Sequence, residues 1–337
     1  MLSERKLGRN GPEVGAIGLG VAPMSGLYGQ ASEEEGLRAI DVALDLGMNL
    51  LDTADVYGSG HNERLLGTAI RGRRHEAIVA TKFGNVVDAA GRPLRISGRA
   101  DYVHEACEYS LRRLGIDVID VYLQHRVDPD TPIEETVGAM AELVRAGKVR
   151  YIGLCEARPA DLRRAAAVHP IAVLQSEYSV LERGVEAEVL DTCEELGIGF
   201  MAYSPLSRGL LGGELDPARK PDPADTRADG TRYPRLGPAH LAANLELART
   251  VRRIAAAHDA GPAEVALAWL LARRPWIVPI PGTRREAHVR SNARADALVL
   301  SEDEAKQLEQ LASHVSGARF GRDVPTPDWV SPASRSP

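Results

Sequence analysis

The chain has 337 residues and a formal net charge of −6, its 41 Lys plus Arg interspersed with 47 Asp plus Glu rather than gathered into a basic stripe, which argues against nucleic acid as a partner. No apolar run approaches the ~18 residues that mark a bilayer-spanning helix, so no membrane segment is expected. Cys107, Cys155 and Cys193 are too few for a disulfide framework, and the opening MLSERKLGRNGPEVG lacks the apolar stretch of a secretory signal; a reducing cytoplasm is the expected setting.

In chain order, Leu7 to Val14 around Asn10-Gly11 reads as a small hairpin, because Asn-Gly favours a type I′ turn, and it is suited to plug one end of a barrel. Eight short apolar runs rich in strand formers follow, at Ala16 to Leu19, Asn49 to Asp52, Ile78 to Thr81, Ile119 to Leu123, Tyr151 to Leu154, Val173 to Ser176, Gly199 to Tyr203 and Trp276 to Pro279. Between them lie helical patterns that end on glycine or proline. Ser32 and three glutamates open a segment to Leu46, stopped by Gly47; Asp101 to Leu114 stops at Gly115, Pro132 to Ala146 at Gly147, Arg158 to Val168 before Pro170, and Glu186 to Leu196 at Gly197. Strand and helix alternating through eight units predict an α/β fold, a (β/α)8 TIM barrel with an N-terminal β-hairpin and long loops at the C-terminal face.

One barrel domain is expected over residues 1–314, followed by a Pro-rich tail over 315–337 in which Phe320 and Trp329 supply docking groups that could fold it over the active site. Ser207 to Gly237 is too long for an ordinary connection and reads as a lid or binding loop.

Active sites of such barrels lie at the C-terminal ends of the strands. Asp52 and Tyr57 follow the second strand in NLLDTADVYG, Lys82 ends the third in ATKFG, and His125 ends the fourth in LQHR. A phenol protonates an alkoxide forming from a carbonyl, an ammonium eases its ionisation in reverse, an acid balances the ammonium, and an imidazole orients the carbonyl oxygen. Hydride must come from a cofactor. Gly15, Gly18 and Gly20 have the reverse of the Rossmann spacing, and Gly147-Lys148 is followed by Val149, so neither a Rossmann site nor a P-loop is supported. Phosphate binding falls instead to the loops after strands seven and eight, Tyr203 to Gly209 and Pro281 to Arg285, where arginines beside a helix start suit the 2′-phosphate of NADPH better than NADH.

NLLDTADVYG, ATKFG, LQHR, IGLCE, QSEYS, AYSPLSRGLLGG and PIPGTRREAHVRSN, in this order between about Leu7 and Leu311, resemble the aldo-keto reductase family, near its microbial and plant members acting on aldehydes and ketones. The resemblance implies a catalytic tetrad of Asp52, Tyr57, Lys82 and His125. It implies that Gln175 bonds the nicotinamide carboxamide and Tyr203 stacks on its ring, that Ser204, Leu206, Arg208 and Gly209 cover the pyrophosphate, and that Gly282, Thr283, Arg284, His288 and Asn292 surround the adenosine end. Gly20, Val21 and Cys155 complete the expected contacts with NADPH/NADP+. Cys155-Glu156 stands where many relatives have Ser then Asn, and a thiol is the weaker donor. Gly282 stands where many have lysine, which leaves the arginines to supply positive charge.

The activity expected is NADPH-dependent reduction of a small-molecule aldehyde or ketone. The rival from another class is a cofactor-bound redox-sensing regulator like the potassium-channel β subunits. A metal-dependent barrel enzyme using His61, Glu63 and His125 is disfavoured, since no close ligand cluster exists, and no metal is expected. Neither the substrate nor the oligomeric state is legible.

Overall fold

The computed structural model describes residues 1–88, 93–213, 215, 222 and 224–321. Eight parallel strands form one sheet in chain order: Leu19–Gly20, Leu50–Asp52, Ile78–Phe83, Ile119–Gln124, Val149–Cys155, Val173–Glu177, Gly199–Tyr203 and Ile277–Pro279. The sheet closes on itself. Gly20 bridges Gly282 in parallel, while the Gly18 and Gly20 amides donate to the carbonyls of Pro279 and Pro281 at 3.0 and 3.2 Å. Close approach explains the glycine here, because a Cβ on Gly18 would stand 2.8 Å from the Leu50 carbonyl oxygen. The expected barrel is the fold, and its first strand is displaced from Ala16–Leu19 to Leu19–Gly20. Ala16 spends its amide on Ser3 of the hairpin instead, at 2.8 Å.

The hairpin pairs Glu4–Lys6 with Glu13–Gly15 in antiparallel register, Glu4 opposite Gly15. The type I′ turn expected at Asn10-Gly11 is absent, since neither residue has a positive φ. Tertiary bonding overrides the local preference: Gly8 bridges Ile198, and the Arg9 amide donates to Gly197 at 2.7 Å, holding residues 7–12 as a wider loop. Leu7 and Val14 are thereby fully buried against the barrel interior, beside Leu50, Val121, Val173, Met201 and Val278. Each such burial contributes about 1.5–3 kcal/mol. The floor of the barrel is sealed and its chemistry is confined to the opposite end.

Helices surround the sheet, most carrying one apolar face, while Pro262–Leu271 is buried nearly all round. Glu33–Asp45 buries Ala39, Ile40, Val42, Ala43 and Leu44, keeps three glutamates in its first turn against the helix dipole, and stops before Gly47 at φ +85°. Ala100–Leu114, Ile133–Arg145, Pro159–Val168 and Val189–Leu196 lie within a few residues of their predicted spans. The Glu186 turn separates as a 3-10 segment, Gly184–Ala187.

Two long loops carry structure of their own at the mouth. After the third strand, Asn85–Val87 pairs with Pro93–Ile96. After the seventh, residues 224–236 run back to the loop behind the first strand, where Asp225 bridges Tyr28, Thr226 Oγ1 donates to the Leu27 carbonyl at 2.7 Å and Arg227 stacks 4.5 Å over Tyr28. Residues 214, 216–221 and 223 of the expected lid lie outside the described set, as does Trp329. Val315, Arg319 and Phe320 pack onto the barrel, so the chain following residue 314 reaches the mouth.

Candidate active site

The second strand delivers Asp52 to the mouth, and the turn after it brings Tyr57 back over the barrel. The Asp55 amide donates to the Lys82 carbonyl at 3.1 Å and the Tyr57 amide to Ala54 at 3.2 Å. Buried Asn62 accepts from Thr53 Oγ1 at 2.7 Å and donates to the Val21 carbonyl at 2.8 Å, pinning the following helix, His61–Ala69, to both loops. Lys82 rises fully buried from the third strand. Its Nζ donates to Asp52 Oδ2 and the Thr53 carbonyl, both at 2.7 Å, and stands 3.5 Å from the Tyr57 hydroxyl. His125, at the end of the fourth strand, meets Tyr57 edge-on, ring centroids 6.0 Å apart and planes at 84°. The four residues named from strand ends converge.

Their charge states follow from position. Burial, the largest single influence, pulls the Lys82 ammonium down, but Asp52 together with Tyr57 and Cys155 outweighs it and leaves Lys82 above its ordinary range, hence charged. Burial pushes Tyr57 up, and Lys82 only partly offsets this, so the phenol stays protonated. Burial, then the charges of Arg126 and Lys82, hold His125 well below its usual range and therefore neutral. A protonated donor, a fixed cation and a neutral imidazole share one partly buried site.

Around this centre the expected cofactor residues fall in two groups. On the closing side, Gly20 and Val21 are buried, the Val21 amide donating to the Asp52 carbonyl at 3.0 Å, with Gly282 beside Pro23. Thr283 Oγ1 accepts from the Arg285 amide at 3.1 Å and meets His288 Nδ1 at 3.2 Å, opening the helix Glu286–Arg294 on which Asn292 is buried. Arg284 reaches the Tyr28 carbonyl at 3.4 Å and lies 3.5 Å from Glu35, and its buried Nε has no hydrogen-bond acceptor.

After the seventh strand, Ser204, Ser207, Arg208 and Gly209 take φ of +48°, +48°, +55° and +103°, with Leu206 accepting the Gly209 amide at 2.9 Å. Left-handed non-glycine residues cost about 1–3 kcal/mol each and cluster where a loop must cradle something. Tyr203 precedes them with a buried hydroxyl that has no partner.

Three of the named residues are engaged within the protein. Gln175 Nε2 donates to Asp52 Oδ1 at 2.7 Å, so both oxygens of Asp52 are occupied. Arg208 forks onto Glu177 with two bonds of 2.8 Å. Cys155 lies in the barrel interior, where burial pushes its thiol up to about 12.

Glu156, Glu177 and Arg319 belong to the site without having been singled out as site residues. Glu156, at φ +52°, accepts the Glu177 amide at 3.0 Å and Arg319 Nη2 at 2.7 Å; Arg319 is 1% exposed and its Nε stands 3.4 Å from Glu177. Arg208 lies 4.9 Å over Tyr233 and 4.6 Å over Phe320. QSEYS carried Glu177 and the aromatic of Phe320 marked the segment, but nothing local separates Arg319 from the many other arginines. Among the described residues no three potential ligands could hold a metal, and His61 bonds Ser25 and Glu33 instead.

The sequence model described as the aldo/keto reductase family matches residues 16–313. This chain belongs to that family. A probable aldo-keto reductase 1 of Glycine max is 40% identical over 329 residues, spanning 96% of this chain and 93% of its own length. An aldo-keto reductase of Schizosaccharomyces pombe whose name specifies NADP(+) is 38% identical over 323 residues, 94% of each chain. A crystal structure of an aldo/keto reductase from Klebsiella pneumoniae in complex with NADP and acetate is 31% identical, covers 91% of this chain and 95% of its own, and superposes with a TM-score of 0.69. Family membership makes the protein an oxidoreductase of aldo-keto reductase type.

Proposed function

We propose that this aldo-keto reductase reduces an aldehyde or ketone to the alcohol with NADPH, Tyr57 giving its proton to the substrate oxygen. The observation that carries the reading is the half-buried, protonated phenol of Tyr57 set 3.5 Å from an ammonium that Asp52 holds at 2.7 Å. The dinucleotide fits residues on both sides of the mouth. The Tyr203 hydroxyl is buried without a hydrogen-bond partner, Arg284 Nε makes no hydrogen bond and stands 3.5 Å from Glu35, and loop 204–209 holds Ser204, Ser207 and Arg208 in left-handed conformations. Gln175 and Tyr203 would hold the nicotinamide, loop 204–209 the pyrophosphate, and Thr283, Arg284, His288 and Asn292 the adenosine end. The relative named for NADP(+) and the one solved with NADP support the choice of cofactor.

NADPH, when bound, supplies hydride to the carbonyl carbon. Neutral His125 orients the carbonyl oxygen, and Tyr57 protonates that oxygen as charge develops on it. Lys82 stabilises the phenolate left behind, and Asp52 keeps Lys82 charged and aimed. The floor sealed by Leu7 and Val14 excludes water from below, which strengthens every one of these interactions.

The decisive experiment follows NADPH oxidation by the purified protein over a panel of aldehydes and ketones. Turnover with any of them supports the reading. A protein that binds NADPH yet turns over none would overturn it in favour of a cofactor-sensing regulator.

A further inference from the structure

Arg126 follows His125 directly, and its Nη1 is tied back to the His125 carbonyl at 2.6 Å. No carboxylate among the described residues forms an ion pair with its half-buried guanidinium. On the neighbouring strand ends lies Arg319, 1% exposed, one of whose nitrogens, Nη1, is buried without any acceptor while Nη2 holds Glu156. Burial pushes the Glu156 carboxyl up, but Arg319 and Arg126 overcome this and keep it ionised, which places both guanidiniums within electrostatic reach of one group.

The balance of charge is uneven. Glu177 is taken by Arg208 and approached by Arg319, and Glu156 is taken by Arg319. Three guanidiniums thus face two carboxylates, and the one without a partner is Arg126, beside the proton-donating pair. A half-buried guanidinium with no carboxylate in contact leaves strong donors unused, and a planar carboxylate is the group whose geometry it matches.

We propose that Arg126, backed by Arg319, is an anion-accepting subsite, so that the preferred substrate of this enzyme is an aldehyde or ketone carrying a carboxylate. The proposal rests on the reductase reading above. Arg126 adjoins His125 in the chain and its charge acts on the imidazole, so an acid group held by the guanidinium suits an oxo acid whose carbonyl oxygen sits at Tyr57 and His125. Arg126 is a specificity residue and Arg319 a positioning residue that keeps Glu156 from neutralising it.

The test compares 4-carboxybenzaldehyde with methyl 4-formylbenzoate, which differ in one negative charge, under saturating NADPH. Charge-assisted bonding predicts a preference of about 10- to 100-fold in kcat/KM for the acid, expressed in KM rather than kcat. Arg126→Gln should collapse that ratio toward unity within the same variant, and Arg126→Lys should retain part of it. Raised salt should shrink it in the wild type. An equal or reversed ratio in the wild type, or an undiminished ratio in Arg126→Gln, overturns the proposal. So does a large loss of NADPH affinity in Arg126→Gln, measured by fluorescence titration, which would make Arg126 a cofactor-phosphate contact. Absence of turnover with both aldehydes while other carbonyls of the panel are reduced also overturns the proposal; absence of turnover with the whole panel is distinguishable, since it refutes the reductase reading itself.

Discussion

Replacing Tyr57 with phenylalanine removes one oxygen, and the surroundings of that oxygen set the size of the effect. Among the described residues the hydroxyl has one hydrogen-bond partner, Lys82 Nζ at 3.5 Å, at the limit of hydrogen bonding, while Lys82 keeps its two 2.7 Å bonds to Asp52 and the Thr53 carbonyl. No buried donor is stranded, so stability should change by less than about 1 kcal/mol. The chemical loss is much larger, because a positioned general acid contributes about 10²–10⁴-fold, or roughly 3–5 kcal/mol of barrier. The expected variant is therefore folded, binds NADPH normally and reduces carbonyls at least about a hundredfold more slowly. Parallel measurement of NADPH oxidation, NADPH affinity and thermal midpoint separates these quantities. Turnover within tenfold of wild type, with the other two unchanged, would refute the assignment of Tyr57 as proton donor. The raised pKa of the phenol carries a sign as well: reduction should persist across neutral pH, whereas alcohol oxidation, which needs the phenolate, should accelerate as pH rises.

Arg284→Ala should weaken NADPH about tenfold or more relative to NADH, the value of a charge-assisted bond to the 2′-phosphate; equal losses in fluorescence titrations with the two cofactors would place that phosphate elsewhere. Arg319→Ala strands the buried carboxylate of Glu156 and should cost about 3–5 kcal/mol in denaturant unfolding, with Glu156→Gln recovering part of the loss in the double variant. Failure of that recovery would mean the pair is not coupled. Asp55 is raised to about 7, chiefly by burial and then by the charge of Glu63, and its Oδ1 has no partner. The ordinary carboxyl ionises near 3.8 and the folded one near about 7, so the folded state is progressively disfavoured between these values: the thermal midpoint should fall from about pH 4 to about pH 7 and level off above, and Asp55→Asn should flatten the slope. An unchanged slope in that variant would exclude Asp55 as its source.

Much of this was legible because barrel geometry ties sequence position to spatial position. Once Asp52, Lys82 and His125 are recognised as ends of successive parallel strands, their convergence follows, and Tyr57 needs only a short turn to join them. Motifs led to Gln175 and Arg208 in the same way, but not to what they bond: Gln175 to Asp52 and Arg208 to Glu177 are contacts between different strand ends, which no local pattern encodes. The Asn10-Gly11 turn shows the opposite failure, a strong local preference overruled because Gly8 and Arg9 bond the strand ends beneath them.

By itself the sequence determined the eightfold alternation, the closed barrel, and the types of group at its mouth, because hydrophobic period and strand order are properties of the chain. Only the tertiary structure decided the charge states and the partners. The protonated phenol and neutral imidazole are consequences of burial beside a fixed ammonium. The pairing of Glu156 with Arg319, 163 residues away, depends on a C-terminal segment folding back over the mouth, a long-range encounter set by shape and charge rather than by neighbouring residues.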